Sequence, residues 1–279
     1  MPASDLSRAA LSTVRVWLVG GGKMGGALLT GWLDNGVAPD NVTIIDPAPG
    51  RVPQGVRLAA DPAAPLAEGP APDVLVLAVK PQIMDDVLPA YRSLGDGTTV
   101  ALSVAAGRLI AGFEAALGAG TPVVRSIPNT PAAVHRGMTV ACANAHVTET
   151  ARATCDALLG AVGDIAWVDD EALIDAVTAV SGSGPAYVFW LTECMARAGV
   201  EAGLPEALAA RIARATVSGA GALMDQAEED PATLRRNVTS PNGTTAAALD
   251  ELMNDRAGLG PLMTRAVAAA ARRSRELAG

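Results

Sequence analysis

Residues 14–36 read VRVWLVGGGKMGGALLTGWLDNG, and the N-terminal half is organised around them. VRVWLVG (14–20) is short, apolar and rich in β-branched residues, as a strand requires. GGKMGGALLTGWLDNG (21–36) opens on glycines and then reads as helix. Gly20, Gly22 and Gly25 satisfy the spacing G-x-G-x-x-G at that junction. The first glycine permits a tight turn, the second lets a diphosphate approach bare backbone, and the third lets helix and strand pack closely. The N–H groups of the first helical turn would then face the diphosphate charge. A strand ahead and a helix behind predict a dinucleotide-binding turn; glycines serving only the turn are the simpler alternative.

Outward from this turn, NVTIIDP (41–47), DVLVLAV (73–79), TTVALSV (98–104) and TPVVRSIPN (121–129) repeat the strand signal. LIAGFEAAL (109–117) is helical between two of them, and MTVACANA (138–145) adds a last strand. DVLVLAV is apolar throughout, as expected of a central parallel strand covered on both faces. Strands alternating with helices predict an α/β Rossmann-type domain over 1–150, with ligands beyond the carboxyl ends of the strands. Asp46 ends the second strand, where a carboxylate accepts hydrogen bonds from an adenosine ribose. It suits equally well an Asx cap to the turn containing Pro47 and Pro49. Arg15, Lys23 and Arg51 lie in the same region, so NAD and NADP both stay open.

Beyond 150 the strand signal stops, and 151–279 is expected to be an all-α dimerisation and substrate-binding domain. TETARATCDALLGAVG (148–163), EALIDAVTAV (171–180), AYVFWLTECMARAGVEAG (186–203), PEALAARIARATVSGAGALMDQA (205–227), GTTAAALDELMNDRA (243–257) and LGPLMTRAVAAAARRSRELAG (259–279) all read as helix. Several are apolar over more than one face, which predicts pairing with a second copy. Composition agrees: 279 residues, 50% hydrophobic yet only 3% aromatic, with alanine a fifth of the chain, so helices must pack closely on small side chains. A net charge of −8 without a Lys/Arg stripe excludes a nucleic-acid surface. No run of uncharged apolar residues is long enough for a membrane span. The opening MPASDLSRAALSTV carries Asp5 and Arg8 and no apolar signal core, so it reads as a frayed lead-in and a cytoplasmic protein is expected. Cys142, Cys155 and Cys194 read as buried small hydrophobes, and His135 and His146 have no clustered ligands, so no metal site is expected.

Five strings carry more specific information: DVLVLAVKPQ (73–82), SVAAG (103–107), RSIPNTPAAVHRGMT (125–139), AVSGSGPAYVF (179–189) and NVTSPNGTT (237–245). In order and spacing the chain resembles pyrroline-5-carboxylate reductase from about residue 14 to about 270. The resemblance implies reduction of 1-pyrroline-5-carboxylate to L-proline with NADPH or NADH, in a homodimer interlocked through its helices and often assembled further into decamers. It puts Gly20, Gly22, Met24 and Gly25 at the pyrophosphate, with Lys23 in place of the usual asparagine as a charge-assisted contact. Ala78, Val79, Lys80 and Pro81 run beside the cofactor, and Asn129 and Thr130 border the nicotinamide. Ser240, Gly243, Thr244 and Thr245 form the loop for the substrate carboxylate and ring nitrogen, with Ser181 and Glu228 near it. Thr245 is placed at the imine nitrogen and, with Lys80, is counted as catalytic. Thr244 and Thr245 also stand where a helix begins, so either suits a cap. Ser181 and Ser183 suit a tight loop as well as substrate placement. Asn242 replaces a loop glycine and tolerates a left-handed backbone; Asp61 or Pro62 replaces an adenosine-side asparagine. The rival is an NADP-dependent hydroxy acid dehydrogenase of similar layout. Such enzymes usually place lysine or histidine in the helical half, where this chain has neither.

Overall fold

The computed structural model describes residues 11–278; the lead-in reading of the first ten residues lies outside them. Eight strands form one sheet: β1 (Val16–Val19), β2 (Val42–Ile45), β3 (Arg57–Ala59), β4 (Val74–Leu77), β5 (Val100–Ser103), β6 (Val123–Ile127), β7 (Gly137–Ala143) and β8 (Gly163–Trp167). Their order is β3-β2-β1-β4-β5-β6-β7-β8, parallel from β3 to β6, with β7 antiparallel to β6 and β8 parallel to β7. The chain leaves β1 in opposite directions to β2 and later to β4. That reversal opens a crevice at the carboxyl end of β1.

Strand alternation splits β1 between two cores. Val16 and Leu18 join Leu28, Leu29 and Trp32 of α1 (Lys23–Asp34) and Leu158 of the later helix 149–160. Trp17 and Val19 point the other way, into Leu75, Leu77, Met84 and Phe113. Both faces are therefore covered, and all four residues of β1 are buried. The indole of Trp32 also donates to Leu158 O at 2.8 Å, so its buried N–H is satisfied. Further helices of this unit, among the described residues, are α2 (Ala63–Glu68), α3 (Met84–Val87), α4 (Ile110–Leu117), α5 (Glu149–Gly160) and α6 (Ile174–Val177).

The domain boundary differs from the sequence expectation. Among the described residues, one compact unit comprises 11–182 with 271–278, and the other Ser183–Ala270. The reading of 1–150 and 151–279 cut off α5 and β8, both of which belong to the sheet unit. The strand was missed because GDIAW is five residues long and follows a helix of similar apolarity. Segment 171–180 also departs from a plain helix: a 3₁₀ turn at Glu171–Leu173 leads into α6 and then a π-turn at Thr178–Gly182.

The second unit holds α7 (Gly184–Glu201), α8 (Glu206–Gln226), α9 (Pro231–Asn237) and α10 (Thr244–Leu252), and α11 (Leu259–Ala278) begins in it. Helices α7 and α8 form a hairpin turned by Gly203 at φ +100°, and a Cβ on Gly199 would stand 3.2 Å from Ala209 Cβ. Ala209 and Ala213 are the buried apolar side chains of this unit among the described residues. Phe189 is 62% exposed and Trp190 55%. Cys194, on α7, is accordingly half-buried, unlike Cys142 and Cys155. No described helix is long and apolar enough to cross a membrane.

Candidate functional site

The glycine turn follows from close backbone approach. Gly20 has φ +99°, and a Cβ there would stand 2.9 Å from the carbonyl carbon and oxygen of Ala78 at the end of β4. A Cβ on Gly25 would collide with Gly20 O. These two glycines let β1, β4 and α1 meet. Gly22 is different: nothing lies within 4 Å of where its Cβ would stand. Gly22 is the N-cap of α1 and offers no side-chain cap, and the first intrahelical bond is Gly26 N–H to Gly22 O at 2.8 Å. The N–H groups of Lys23, Met24 and Gly25 precede it, giving an uncapped helix start with a positive dipole end. A cleft of about 740 Å³ opens before it, lined by Gly21, Gly22, Lys23, Asp46 and Arg51 among others. Bare backbone, an uncapped helix and a cleft fit the diphosphate of a dinucleotide.

Asp46 takes the Asx arrangement and adds to it. Its Oδ1 accepts from Ala48 N–H at 2.8 Å, and its Oδ2 accepts from Gly21 N–H at 2.6 Å, tying β2 to the glycine turn. A second hollow of about 370 Å³ lies on its other side, lined by Ile45, Pro47, Asp61, Pro62, Ile83 and Val87 among others. Arg15 leaves the cofactor region: it precedes β1 at the amino end, where it pairs with Asp73 at 3.4 Å. Ala78 and Val79 are half-buried at the end of β4, with Ala78 N–H held by Val19 O at 2.8 Å. Lys80 is exposed there and Pro81 starts a 3₁₀ turn.

Within the sheet unit, Asn129 and Ser181 come together. Asn129 Nδ2 donates to both the backbone O and Oγ of Ser181 at 3.3 Å, while its Oδ1 accepts from Met138 N–H at 2.9 Å. Thr130, next along, is exposed. The segment carrying Ser181 is anchored by a pair the sequence reading missed. Arg125, on β6, is buried, and its Nη1 donates to Glu171 Oε1 at 2.7 Å. The same oxygen accepts from Ile110 N–H at 2.9 Å. The signal was an arginine inside the apolar run VVRSI, which a half-buried partner had to neutralise. His135 stands aside at the end of a 3₁₀ turn with φ +55°, its Nε2 3.5 Å from Asp34.

The helical unit builds its own uncapped start. Asn242 adopts φ +57° and Gly243 N–H reaches Ser240 O at 3.0 Å, which closes the turn before α10. The cap position is Gly243, not a threonine; Thr244 and Thr245 are the first two helical residues. No side chain caps this helix, and its first intrahelical bond is Ala247 N–H to Gly243 O at 3.2 Å. The N–H groups of Thr244, Thr245 and Ala246 precede that bond, and Thr245 is half-buried beside them. Ser240 is exposed within the same turn. Glu228 is exposed in the turn before α9, whose cap is Asp230, accepting from Thr233 N–H at 2.7 Å. That bond holds the Asp230 carboxyl below the usual carboxylate range.

Residues 171–277 match the family described as pyrroline-5-carboxylate reductase dimerisation, and residues 15–107 match the one described as NADP oxidoreductase coenzyme F420-dependent. The pyrroline-5-carboxylate reductase of Pseudomonas aeruginosa is 43% identical over 273 residues, which is 96% of this chain and 98% of the relative. That of Corynebacterium melassecola is 38% identical over 96% of this chain and 99% of the relative. Among solved structures, the pyrroline-5-carboxylate reductase of Coxiella burnetii superposes with TM-score 0.87 at 30% identity, covering 96% of this chain and 99% of that one. The Plasmodium falciparum pyrroline carboxylate reductase with NADP bound gives 0.82 at 27% identity, over 96% and 100%.

Proposed function

The chain belongs to the pyrroline-5-carboxylate reductase family and is an NAD(P)H-dependent oxidoreductase, and from that premise we propose how its residues reduce 1-pyrroline-5-carboxylate to L-proline. The observation that carries the proposal is the uncapped start of α10 at TSPNGTT. Three free N–H groups at a positive dipole end bind the substrate carboxylate, so a chain of net charge −8 needs no basic patch there. The hydroxyls of Ser240 and Thr244 complete that clasp.

Thr245 hydrogen-bonds the ring nitrogen and fixes which face of the imine carbon is presented. A threonine hydroxyl has no useful acidity near neutrality, so its role is orientation, and the proton arrives with the iminium or through water. NAD(P)H, when bound, supplies the hydride. The uncapped turn of α1, with Gly20, Gly22, Lys23, Met24 and Gly25, would hold the pyrophosphate. Ala78, Val79, Lys80 and Pro81 would line the cofactor's course, Lys80 being the cation among them. Asn129 and Thr130 would border the nicotinamide, and Asn129 sets the position of Ser181. Glu228 supplies a negative group near the substrate. Rate enhancement then comes from position and electrostatics, without a covalent intermediate on the protein.

The chain is a homodimer, and the proposal extends to pairing through α7–α11, to an assembly of five dimers and to a cytoplasmic enzyme. Sedimentation of the purified protein tests the assembly. Mixing it with 1-pyrroline-5-carboxylate and either reduced cofactor tests the activity. Folded protein that oxidises neither NADH nor NADPH in that mixture would overturn the assignment.

A further inference from the structure

We propose that Arg125 and Glu171 are positioning residues for the reaction: through them β6 sets where Ser181 stands against the substrate. The proposal rests on reading Ser181 as part of the substrate site. Arg125, Ile127 and Asn129 alternate along β6 and its extended exit, so their side chains leave the strand on one face. Each meets a different point of the segment 171–182. Arg125 Nη1 donates to Glu171 Oε1 at 2.7 Å. Ile127 Cγ2 lies 3.4 Å from where a Cβ on Gly182 would stand. Asn129 Nδ2 donates to the carbonyl and hydroxyl oxygens of Ser181 at 3.3 Å. Between these points Ile174 is buried in the same core as Ile127. The segment ends in the π-turn Thr178–Gly182, a distortion of a kind that recurs at functional sites.

Stability alone does not account for the pair. Arg125 is buried, and its Nε and Nη2 have no hydrogen-bond partner among the described residues. Orphaned donors on a buried charge are costly, and apolar residues of similar volume often fill such a place with no loss of stability. What the ion pair adds is a fixed length. Glu171 Oε1 also accepts at 2.9 Å from the N–H of Ile110, the first residue of α4. The carboxylate is thus held from two elements, and the segment starts at a defined distance from β6. At its far end the Ser181 hydroxyl accepts from Asn129, which leaves its own hydrogen for an acceptor such as the substrate carboxylate. A displaced Glu171 displaces that donor.

Length and charge separate in two variants of the full-length protein. Glu171→Asp keeps the charge and shortens the side chain by a methylene. Glu171→Gln keeps the length and an acceptor oxygen but leaves Arg125 without a counter-charge. Positioning predicts that Glu171→Asp raises KM for 1-pyrroline-5-carboxylate about tenfold, with kcat and the Kd of the reduced cofactor each changed less than about threefold. Glu171→Gln should lower the urea midpoint of unfolding more than Glu171→Asp does, yet keep KM within about threefold of wild type. Leu158→Ala, which destabilises the same unit from its other core, should leave KM unchanged. If KM follows the unfolding midpoint across the three variants, or Glu171→Asp keeps the wild-type KM, the pair is structural only and the proposal fails. Should Glu171→Gln not fold, Glu171→Asp set against Leu158→Ala still decides. Ser181→Ala tests the premise separately. A raised KM there beside a wild-type KM in Glu171→Asp keeps Ser181 at the substrate and overturns the positioning. An unchanged KM in Ser181→Ala removes Ser181 from the substrate site, and the proposal falls with it.

Discussion

In the sheet unit Trp32, Tyr91 and Phe113 are fully enclosed by the same chain, whereas across 183–270 the buried apolar side chains described are two alanines. Seventeen of the 24 exposed large hydrophobics described fall in that shorter stretch, Phe189, Trp190, Leu223 and Met224 among them. A monomer rarely leaves so much apolar surface in water. The difference shows two sources of order. The sheet unit closes on itself, because strands covered on both faces and the helices over them complete two cores. The helical unit leaves its apolar faces open, and the proposed pairing through α7–α11 would cover them with a second copy. Alanine allows close helix packing within the α7–α8 hairpin, where Ala209 and Ala213 are buried.

The largest effect should come from charging that face. Phe189→Asp is expected to weaken dimerisation more than about a hundredfold, since a carboxylate cannot be buried unpaired. Leu58→Asp, at an exposed hydrophobic of the sheet unit, should change stability by less than about 0.5 kcal/mol. Sedimentation and chemical unfolding read the two results. Equal responses would mean that no second chain covers α7.

Next comes Glu171→Ala, which leaves the buried Arg125 guanidinium without its partner. A loss of about 3–5 kcal/mol in the sheet unit is expected, measured by denaturant unfolding, with the dimer still formed. A loss of dimer with an intact sheet unit would show that the two units are not independent in this way. Gly25→Ala should cost about 1–3 kcal/mol, because the added methyl meets Gly20 O and pushes α1 off β1; thermal unfolding and loss of cofactor affinity check it. Thr245→Ala should lower turnover roughly tenfold, worth about 1.4 kcal/mol of barrier, with cofactor affinity and dimer unchanged. Loss of NAD(P)H binding instead would move Thr245 out of the substrate clasp.

The smallest effect belongs to Arg108→Ala. The side-chain hydrogen bond from Arg108 holds the Asp85 carboxyl below its ordinary range. A depressed carboxyl stabilises the fold above the unfolded pKa, and that contribution is lost as pH falls through the folded value. Asp85 is exposed, so Arg108→Ala should lower the neutral-pH melting temperature only slightly, and the difference from wild type should disappear as the pH falls through the folded Asp85 value.

Much of this was legible in the residues. VRVWLVG next to GGKMGG dictates a strand, a turn that only glycine fits and a helix, because those constraints are local and steric. The tolerance of Asn242 for a left-handed backbone is local in the same sense. Other features depended on contacts between distant segments. Nothing within GDIAW distinguishes an edge strand from a helix tail; pairing of Gly163–Trp167 with β7 makes it β8. Asp46 could equally cap its own turn or face a ribose, and folding brought Gly21 N–H to it across 25 residues. The threonines of GTT could have capped α10, but the cap fell on Gly243 and left the helix start open. Arg125 announced only that some acid must answer it, and Glu171 was found 46 positions away. Periodicity and backbone sterics act over a few residues and are written along the chain. Which charge meets which, and which helix start stays open, depends on distances that exist only once the chain has folded.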